Sequence, residues 1–182
     1  RHPVFIVIAT QTPIEQEGTY ELSEAQQDRF LLKEIITYPN VKDEVEILNR
    51  IEGDVFTSSK AVVTIDDIEF LQGLCKKVYI SPAIKKYIVD IVQATRDPAK
   101  YISPNLASYI AMGSSTRAAI AFMEVSKAVA LIQGRADVTP DDIKAMRHEV
   151  MRHRIMLNFA AIADGIKEEQ IVDAIVGAIV TP

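Results

Sequence analysis

The sequence predicts a mainly α-helical protein with a small α/β portion at its beginning. Residues 4–9 form an unbroken run of apolar, mostly β-branched residues, which is typical of a strand buried on both faces of a parallel sheet. Residues 30–38 give a second strand candidate, and from residue 41 onward the signals are those of helices. We therefore expect the final strands of a parallel sheet over residues 1–40, followed by an α-helical bundle over residues 41–182.

Composition limits the classes of function. Of the 182 residues, 48% are hydrophobic and 25% are charged, which is the balance of a folded globular chain. The net charge of −5 argues against a nucleic-acid surface, and no apolar run approaches the roughly 20 residues of a membrane helix. Cys75 has no second cysteine with which to form a disulfide. We expect a cytoplasmic protein with neither nucleic-acid binding nor membrane insertion.

Polar residues follow the first predicted strand. Thr10, Gln11 and Thr12 stand at its carboxyl end, the edge at which open α/β sheets bind ligands. A strand that is buried on both faces needs neighbours on either side. Since this strand begins so close to Arg1, we expect the complete protein to contain an upstream segment.

The next two elements are a short helix and a more polar strand. Ser23, with Gln26 three residues later, has the capping-box pattern and predicts a short helix that ends near Arg29. The second predicted strand carries Lys33 and Glu34, so we expect it to be less buried than the first one.

Each predicted helix of the bundle has an identifiable start. Thr64 precedes two aspartates whose charge suits a helix N-terminus, and Ser81 is followed by proline at the first helical position. From such signals we expect helices that begin near residues 41, 64, 81, 114, 139 and 168, and no strand after residue 40. Apolar residues at the spacing of one helix face predict a buried stripe: Ile84, Tyr87, Ile88, Ile91 and Val92.

Several motifs resemble catalytic signatures but lack their geometry. His148 and His153 are five residues apart, so on a helix they would point about 140° apart and could not share one zinc ion. Asp66 and Asp67 follow an apolar run, as in a Walker B strand, but a helix cap at Thr64 explains them better. No glycine precedes a lysine, so the sequence has no P-loop, and we expect no metal site.

Three residues are candidates for contact with a phosphate. Arg117 stands in the first turn of the long helix, where a cation opposes the helix dipole by roughly 0.3–1 kcal/mol. The position fits an arginine beside a bound phosphate, although an arginine that extends into water is also compatible. Arg29 ends a short helix, where a cation is favourable without a ligand. Thr12 could hold a phosphate or a water, or simply form a turn.

Several segments together resemble the MoxR family of AAA+ ATPases. Residues 5–20 (FIVIATQTPIEQEGTY) are similar to its sensor 1 region, and residues 23–30 (SEAQQDRF) to the segment that follows it. Residues 113–118 (GSSTRA) resemble its sensor 2 motif. Residues 134–142 (GRADVTPDD), with residues 150–155 (VMRHRI), resemble its closing section. The resemblance spans almost the whole chain and indicates the end of a nucleotide-binding core followed by its helical lid.

The resemblance implies a role for each matching residue. Thr12 takes the sensor 1 place, which reads the γ-phosphate or the attacking water, and Arg29 matches the arginine finger that reaches the nucleotide of a neighbouring subunit. Arg117 matches the sensor 2 arginine at the nucleotide phosphate, beside Ser114 and Ser115. The complete protein is then expected to bind ATP or ADP with Mg²⁺ and to hydrolyse ATP as a homo-oligomer, a hexameric ring. The family further implies chaperone-like remodelling of a client protein, with a von Willebrand factor A domain partner.

The chain also departs from the family. Thr12 stands where the family has asparagine, so its hydroxyl has a shorter reach, and Glu21 and Ser23 replace prolines. The Walker A and Walker B motifs would lie upstream of Arg1, so we expect this chain alone to be inactive. The alternative function is a non-catalytic helical module that binds a partner through an apolar groove and retains vestigial strands.

Overall fold

The computed structural model describes residues 4–11, 22–53, 55 and 58–182. Most of these residues are helical, which confirms the mainly α fold class. The helices are α1 (Glu24–Gln27), α2 (Val41–Glu52), α3 (Ile65–Lys77), α4 (Pro82–Arg96), α5 (Pro104–Ala107), α6 (Thr116–Ile132), α7 (Pro140–Ala145), α8 (Arg147–Met151), α9 (Phe159–Ala163) and α10 (Glu168–Ala178). A 3₁₀ turn at Pro98–Lys100 precedes α5, and the strands are β1 (Ile110–Met112) and β2 (Met156–Leu157).

Side-chain caps begin several helices where the sequence predicts them. Thr64 Oγ1 accepts a hydrogen bond from the backbone N–H of Asp67 (3.1 Å), and the Asp67 carboxylate accepts one from the backbone N–H of Thr64 (2.7 Å). Ser81 Oγ accepts from the backbone N–H of Ile84 (3.2 Å) at the start of α4. Such caps satisfy N–H groups that have no partner within the helix, so local sequence fixes where these helices begin.

A hydrophobic core lies between the long helices α4 and α6 and the later helices α7, α8 and α10. The predicted buried stripe of α4 is confirmed, with Tyr87 and Ile91 almost completely enclosed. Phe122 of α6 and Ile143 of α7 belong to the same cluster. This packing gives the loop before α6 a rigid support.

The prediction of strands over residues 4–9 and 30–38 is wrong for the described structure. Both segments lack regular secondary structure, and most of their apolar side chains are exposed, with Ile8 at 86%. A strand needs neighbouring backbone to satisfy its N–H and C=O groups, and the described part of the chain forms no ladder with either segment. The domain boundary between residues 40 and 41 stays a prediction.

The expectation of no strand after residue 40 is also wrong. β1 and β2 pair antiparallel, with Ile110 opposite Leu157 and Met112 opposite Met156. Strands of two and three residues are too short to show an alternating pattern in the sequence. The pair brings the loop before α6 close to the chain that precedes β2.

No described helix combines the length and the apolar character that crossing a lipid bilayer requires.

Candidate functional site

The loop that leads into α6 is held tightly against the end of α4. The backbone N–H of Ser114 donates to Thr95 Oγ1 (2.9 Å), and Arg96 Nε donates to the Ser114 carbonyl (2.8 Å). Gly113 lies so close to α4 that a Cβ here would stand 2.3 Å from the Thr95 carbonyl oxygen. Because a glycine permits this approach, the first turn of α6, with Arg117, is fixed relative to the core.

The two serines before α6 have different surroundings. Ser114 is buried, and its Oγ donates to the Arg154 carbonyl (3.2 Å). Ser115 caps α6: its Oγ accepts from the backbone N–H of Arg117 (3.1 Å) and donates to the Asp28 carboxylate (2.8 Å). Both hydroxyls are thus bonded within the protein, and the expected contacts of Ser114 and Ser115 with a nucleotide stay predictions.

Asp28, which follows α1, receives three side chains from the helical bundle. Arg117 Nη1 donates to its Oδ2 (3.0 Å), which also accepts from Ser115, and Arg154 Nε lies 3.3 Å from its Oδ1. Burial raises the pKa of Asp28, but the hydrogen bonds from Ser115 and Arg117 and the charge of Arg154 bring the pKa below its usual value. The carboxylate is therefore charged at neutral pH and links the start of α6 to the residue before Arg29.

Arg154 is a buried cation enclosed by main-chain carbonyls. Its guanidinium donates to the carbonyls of Asp28 (3.3 Å) and Leu31 (3.2 Å), and also to those of Phe30 and Val150. The planar guanidinium carries five donors in a fixed fork, which suits such a cage. These bonds hold residues 28–31 against α8.

The two residues that precede Arg154 in the chain also bind main-chain carbonyls of residues 28–33. Arg152 Nη1 donates to the Lys33 carbonyl (3.0 Å), and His153 Nε2 donates to the Phe30 carbonyl (3.1 Å). We call Arg152, His153 and Arg154 the clamp. The clamp fixes the segment of residues 28–33, and with it Arg29, through main-chain atoms.

The charge state of His153 suits this position. Burial lowers the pKa of His153 to about 4, and the positive charge of Arg154 acts in the same direction, against the hydrogen bond to Phe30. His153 is therefore neutral at pH 7, so it adds no positive charge next to the buried Arg154.

The structure brings Arg117 close to the segment that carries Arg29. Arg29 is exposed, and its side chain has no hydrogen bond or ion pair with the residues that the structure describes. Thr12 lies outside the described residues. Its neighbours Thr10 and Gln11 line an open cavity of about 350 Å³, together with Phe30 and His153.

Metal ligands do not cluster in the described part of the chain, where no group of three or more His, Cys, Asp or Glu residues could hold a metal ion. His148 Nε2 lies 2.8 Å from Asp173 Oδ1, whereas His153 contacts Phe30. The two histidines therefore face different partners.

Comparisons with known proteins match both ends of the chain. The model of the ATPase family associated with various cellular activities (AAA) matches residues 2–32, and that of the AAA lid domain matches residues 105–175. Chaperone MoxR1 of Mycobacterium tuberculosis is 35% identical over 98% of this chain and 47% of its own length. The Bacillus subtilis protein YeaC is 38% identical over 98% of this chain and 53% of its own length. The chain belongs to the MoxR family of AAA+ ATPases.

Comparison with a solved structure supports the same family fold. A candidate ATPase from Cytophaga hutchinsonii matches the MoxR-family chain with a TM-score of 0.88 and 41% identity, over 94% of this chain and 52% of its own. The chain spans about half the length of the curated relatives that it matches.

Sequence reasoning missed the residues that hold the site of this MoxR-family chain together: Asp28, Arg152 and Arg154. Asp28 stands directly before Arg29, and the clamp lies within the closing section that resembles the family. The contacts themselves have no local signal, because 89 positions separate Asp28 from Arg117, and 126 separate it from Arg154.

Arg117 fits a nucleotide phosphate. Its guanidinium is half exposed and lies at the N-terminus of the 17-residue α6, whose dipole favours an anion. In the described structure the Asp28 carboxylate provides negative charge at this position. No glycine in this sequence is followed by lysine, so it contains no P-loop that would hold a β-phosphate.

Proposed function

We propose that the complete protein that carries this chain binds and hydrolyses ATP with Mg²⁺ in a homo-oligomeric, hexameric ring. The observation that carries the proposal is the contact of Arg117 with Asp28, which places a half-exposed guanidinium beside the segment that contains Arg29. Arg117 would contact the nucleotide of its own subunit, whereas the exposed Arg29 is free to reach that of a neighbour.

Each residue of the site has its own task within that function. Arg117 would bind a phosphate oxygen and so fix the lid relative to the nucleotide-binding core, with Ser114 and Ser115 shaping the start of α6. Arg29 would stabilise the charge that develops during phosphoryl transfer in the neighbouring subunit, an effect of about 10³–10⁵ in rate. Thr12 would orient the attacking water through its hydroxyl.

The chain does not contain every residue that the reaction needs. Mg²⁺ and the β-phosphate call for Walker A and Walker B residues, which this sequence lacks. We therefore infer that these residues come from the rest of the complete protein, and that the 182-residue chain alone is inactive.

The cellular task that we propose is chaperone-like remodelling or maturation of a client protein, driven by motion of the lid between nucleotide states. The name of the relative Chaperone MoxR1 supports this task. A protein with a von Willebrand factor A domain is the proposed partner. We place the protein in the cytoplasm, where the free thiol of Cys75 stays reduced.

Arginine variants of the complete protein test the proposal. Arg29→Ala should lower kcat by a factor of about 10³ or more with little change in nucleotide affinity.

Arg117→Ala should weaken ATP binding about tenfold or more, because a charged hydrogen bond is lost. Arg50→Ala removes an exposed arginine that pairs with Glu46 on the same helix, and should change neither quantity. Steady-state hydrolysis and calorimetric titration measure these effects, and light scattering measures the ring mass.

A second function has one observation in its favour. Val41, Val45 and Leu48 of α2 form an exposed apolar face, which suits a non-catalytic module that binds a partner there. That function predicts no ATP binding by the complete protein at millimolar nucleotide, a result that would contradict the ATPase proposal. An unchanged rate of hydrolysis in Arg29→Ala would contradict the finger role alone.

A further inference from the structure

The carboxylate of Asp28 contacts Arg117 and belongs to the residue before Arg29, and the proposed function assigns these two arginines to two different nucleotides. Its Oδ2 accepts a hydrogen bond from Arg117, and the next residue in the chain is Arg29. The Asp28 side chain is largely buried, at 16% exposed, whereas that of Arg117 is 54% exposed. A movement of Arg117 therefore changes the surroundings of a buried group that adjoins Arg29.

We propose that Asp28 is a positioning residue that couples the phosphate contact of Arg117 to the orientation of Arg29. This inference rests on the proposed function. Without nucleotide, Asp28 holds Arg117 at the start of α6. When Arg117 binds a phosphate in its own subunit, Asp28 loses this partner, and Arg29 is presented differently to the neighbouring subunit.

The two arginine contacts of Asp28 are suited to this exchange. Arg154 is buried and is also bonded to the main-chain oxygen of Asp28, so its contact persists. The contact with Arg117 lies at the surface, where an ion pair contributes little and a phosphate, with more charge and more acceptor oxygens, competes well. The exchange therefore reorients Arg29 while residues 28–31 stay attached to the clamp.

The interaction between the side chains of Asp28 and Arg117 is tested by a double-mutant cycle in the complete protein, with ADP and Mg²⁺ as the probe. Asp28→Asn removes the competing charge, so ADP should bind about two- to fivefold more tightly. Arg117→Gln removes the guanidinium that Asp28 restrains. In that background, Asp28→Asn should leave the Kd unchanged.

A kinetic readout separates positioning from folding. At saturating ATP, Asp28 keeps its contact with Arg154, which D28N weakens, so D28N should lower kcat toward the value of R29A. The D28N/R29A double variant should be no slower than R29A. D28E keeps the charge, so it should retain the normal Kd and most of kcat, and it remains informative if D28N is too unstable to purify. D173N is the matched control, because it makes the same change in an aspartate that pairs with Arg147 and His148. It should leave the Kd for ADP and kcat unchanged.

The outcomes distinguish this inference from the function on which it rests. Equal tightening by D28N with and without Arg117, or a normal kcat in D28N, would overturn the coupling and leave ATP hydrolysis in place. Failure of the unaltered protein to bind ADP would overturn both.

Discussion

The contact between the clamp and residues 28–33 depends on pH through the protonation of His153. The pKa of His153 is about 4 in the folded chain, against 6.5 for an unperturbed histidine. The unfolded chain therefore binds more protons between these two pH values, and protonation favours unfolding there. The stability that neutral His153 provides is complete above pH 6.5, and it is lost as the pH falls to 4.

We expect the free energy of urea unfolding to fall by up to about 3 kcal/mol between pH 7 and pH 4 because of this group. His153→Gln keeps a donor for the Phe30 carbonyl but does not titrate. The unfolding free energy of this variant should therefore lose the slope against pH that His153 causes between pH 7 and pH 4. His148→Gln alters a histidine of α8 that pairs with Asp173, and should keep the slope. The same slope in H153Q would show that His153 is not its source.

Gly113, in the loop before α6, and Gly73, within α3, should respond oppositely to alanine. Gly113→Ala should destabilise the chain by at least about 2 kcal/mol, because the added Cβ meets the backbone of Thr95, which cannot move aside alone. Gly73 lies within α3 and has open space around its Cβ position, so Gly73→Ala should stabilise by about 0.5–1 kcal/mol. Urea unfolding of the 182-residue chain measures both variants. A G113A chain as stable as the unaltered chain would contradict this account of Gly113, and a destabilised G73A chain would contradict that of Gly73.

Helix starts and ends could be predicted because their signals are local. Thr64 and Ser81 cap groups three residues away, and the buried stripe of α4 repeats within a single element. Gly134, with φ of 73°, follows α6 at the predicted end because a left-handed conformation there favours glycine.

The strands and the linked site depend on distant residues, so the sequence pattern could not supply them. Residues 4–9 have the composition of a buried strand, yet a strand forms only in a ladder with neighbouring backbone, and the ladder of the described residues joins β1 and β2 instead. The family resemblance assigned roles to Arg29 and Arg117. It contained no sign of the Asp28 carboxylate, which contacts Arg117 and precedes Arg29 in the chain, because the geometry of Asp28 appears only when α1 and α6 are placed in space.

The whole molecule is divided unevenly between buried and exposed apolar residues. The cluster of buried hydrophobic residues extends from Val78 to Ile179. The described residues before position 58 instead expose large apolar side chains, among them Phe5, Ile8 and Ile36. The later helices therefore form a core of their own, to which the earlier segment is joined by the clamp and Asp28.

A chain trimmed to residues 58–182 should retain this core. We expect its helical signal to unfold cooperatively in urea, at a lower midpoint than the 182-residue chain, because Arg154 loses its carbonyl acceptors. Fluorescence of the dye ANS should decrease, since the removed residues carry exposed apolar surface. A gradual loss of helix without a transition would contradict the independence of the core.

The bonds of the clamp also impose an order on biosynthesis. His153 is made 123 residues after Phe30, whose carbonyl it binds. At roughly 5–20 residues per second, translation leaves the region around Arg29 without its anchor for roughly 6–25 seconds. Until residue 153 has been made, a nascent chain therefore cannot hold the region around Arg29 in its final geometry, and the subunit contact that we propose for Arg29 should form only after that point.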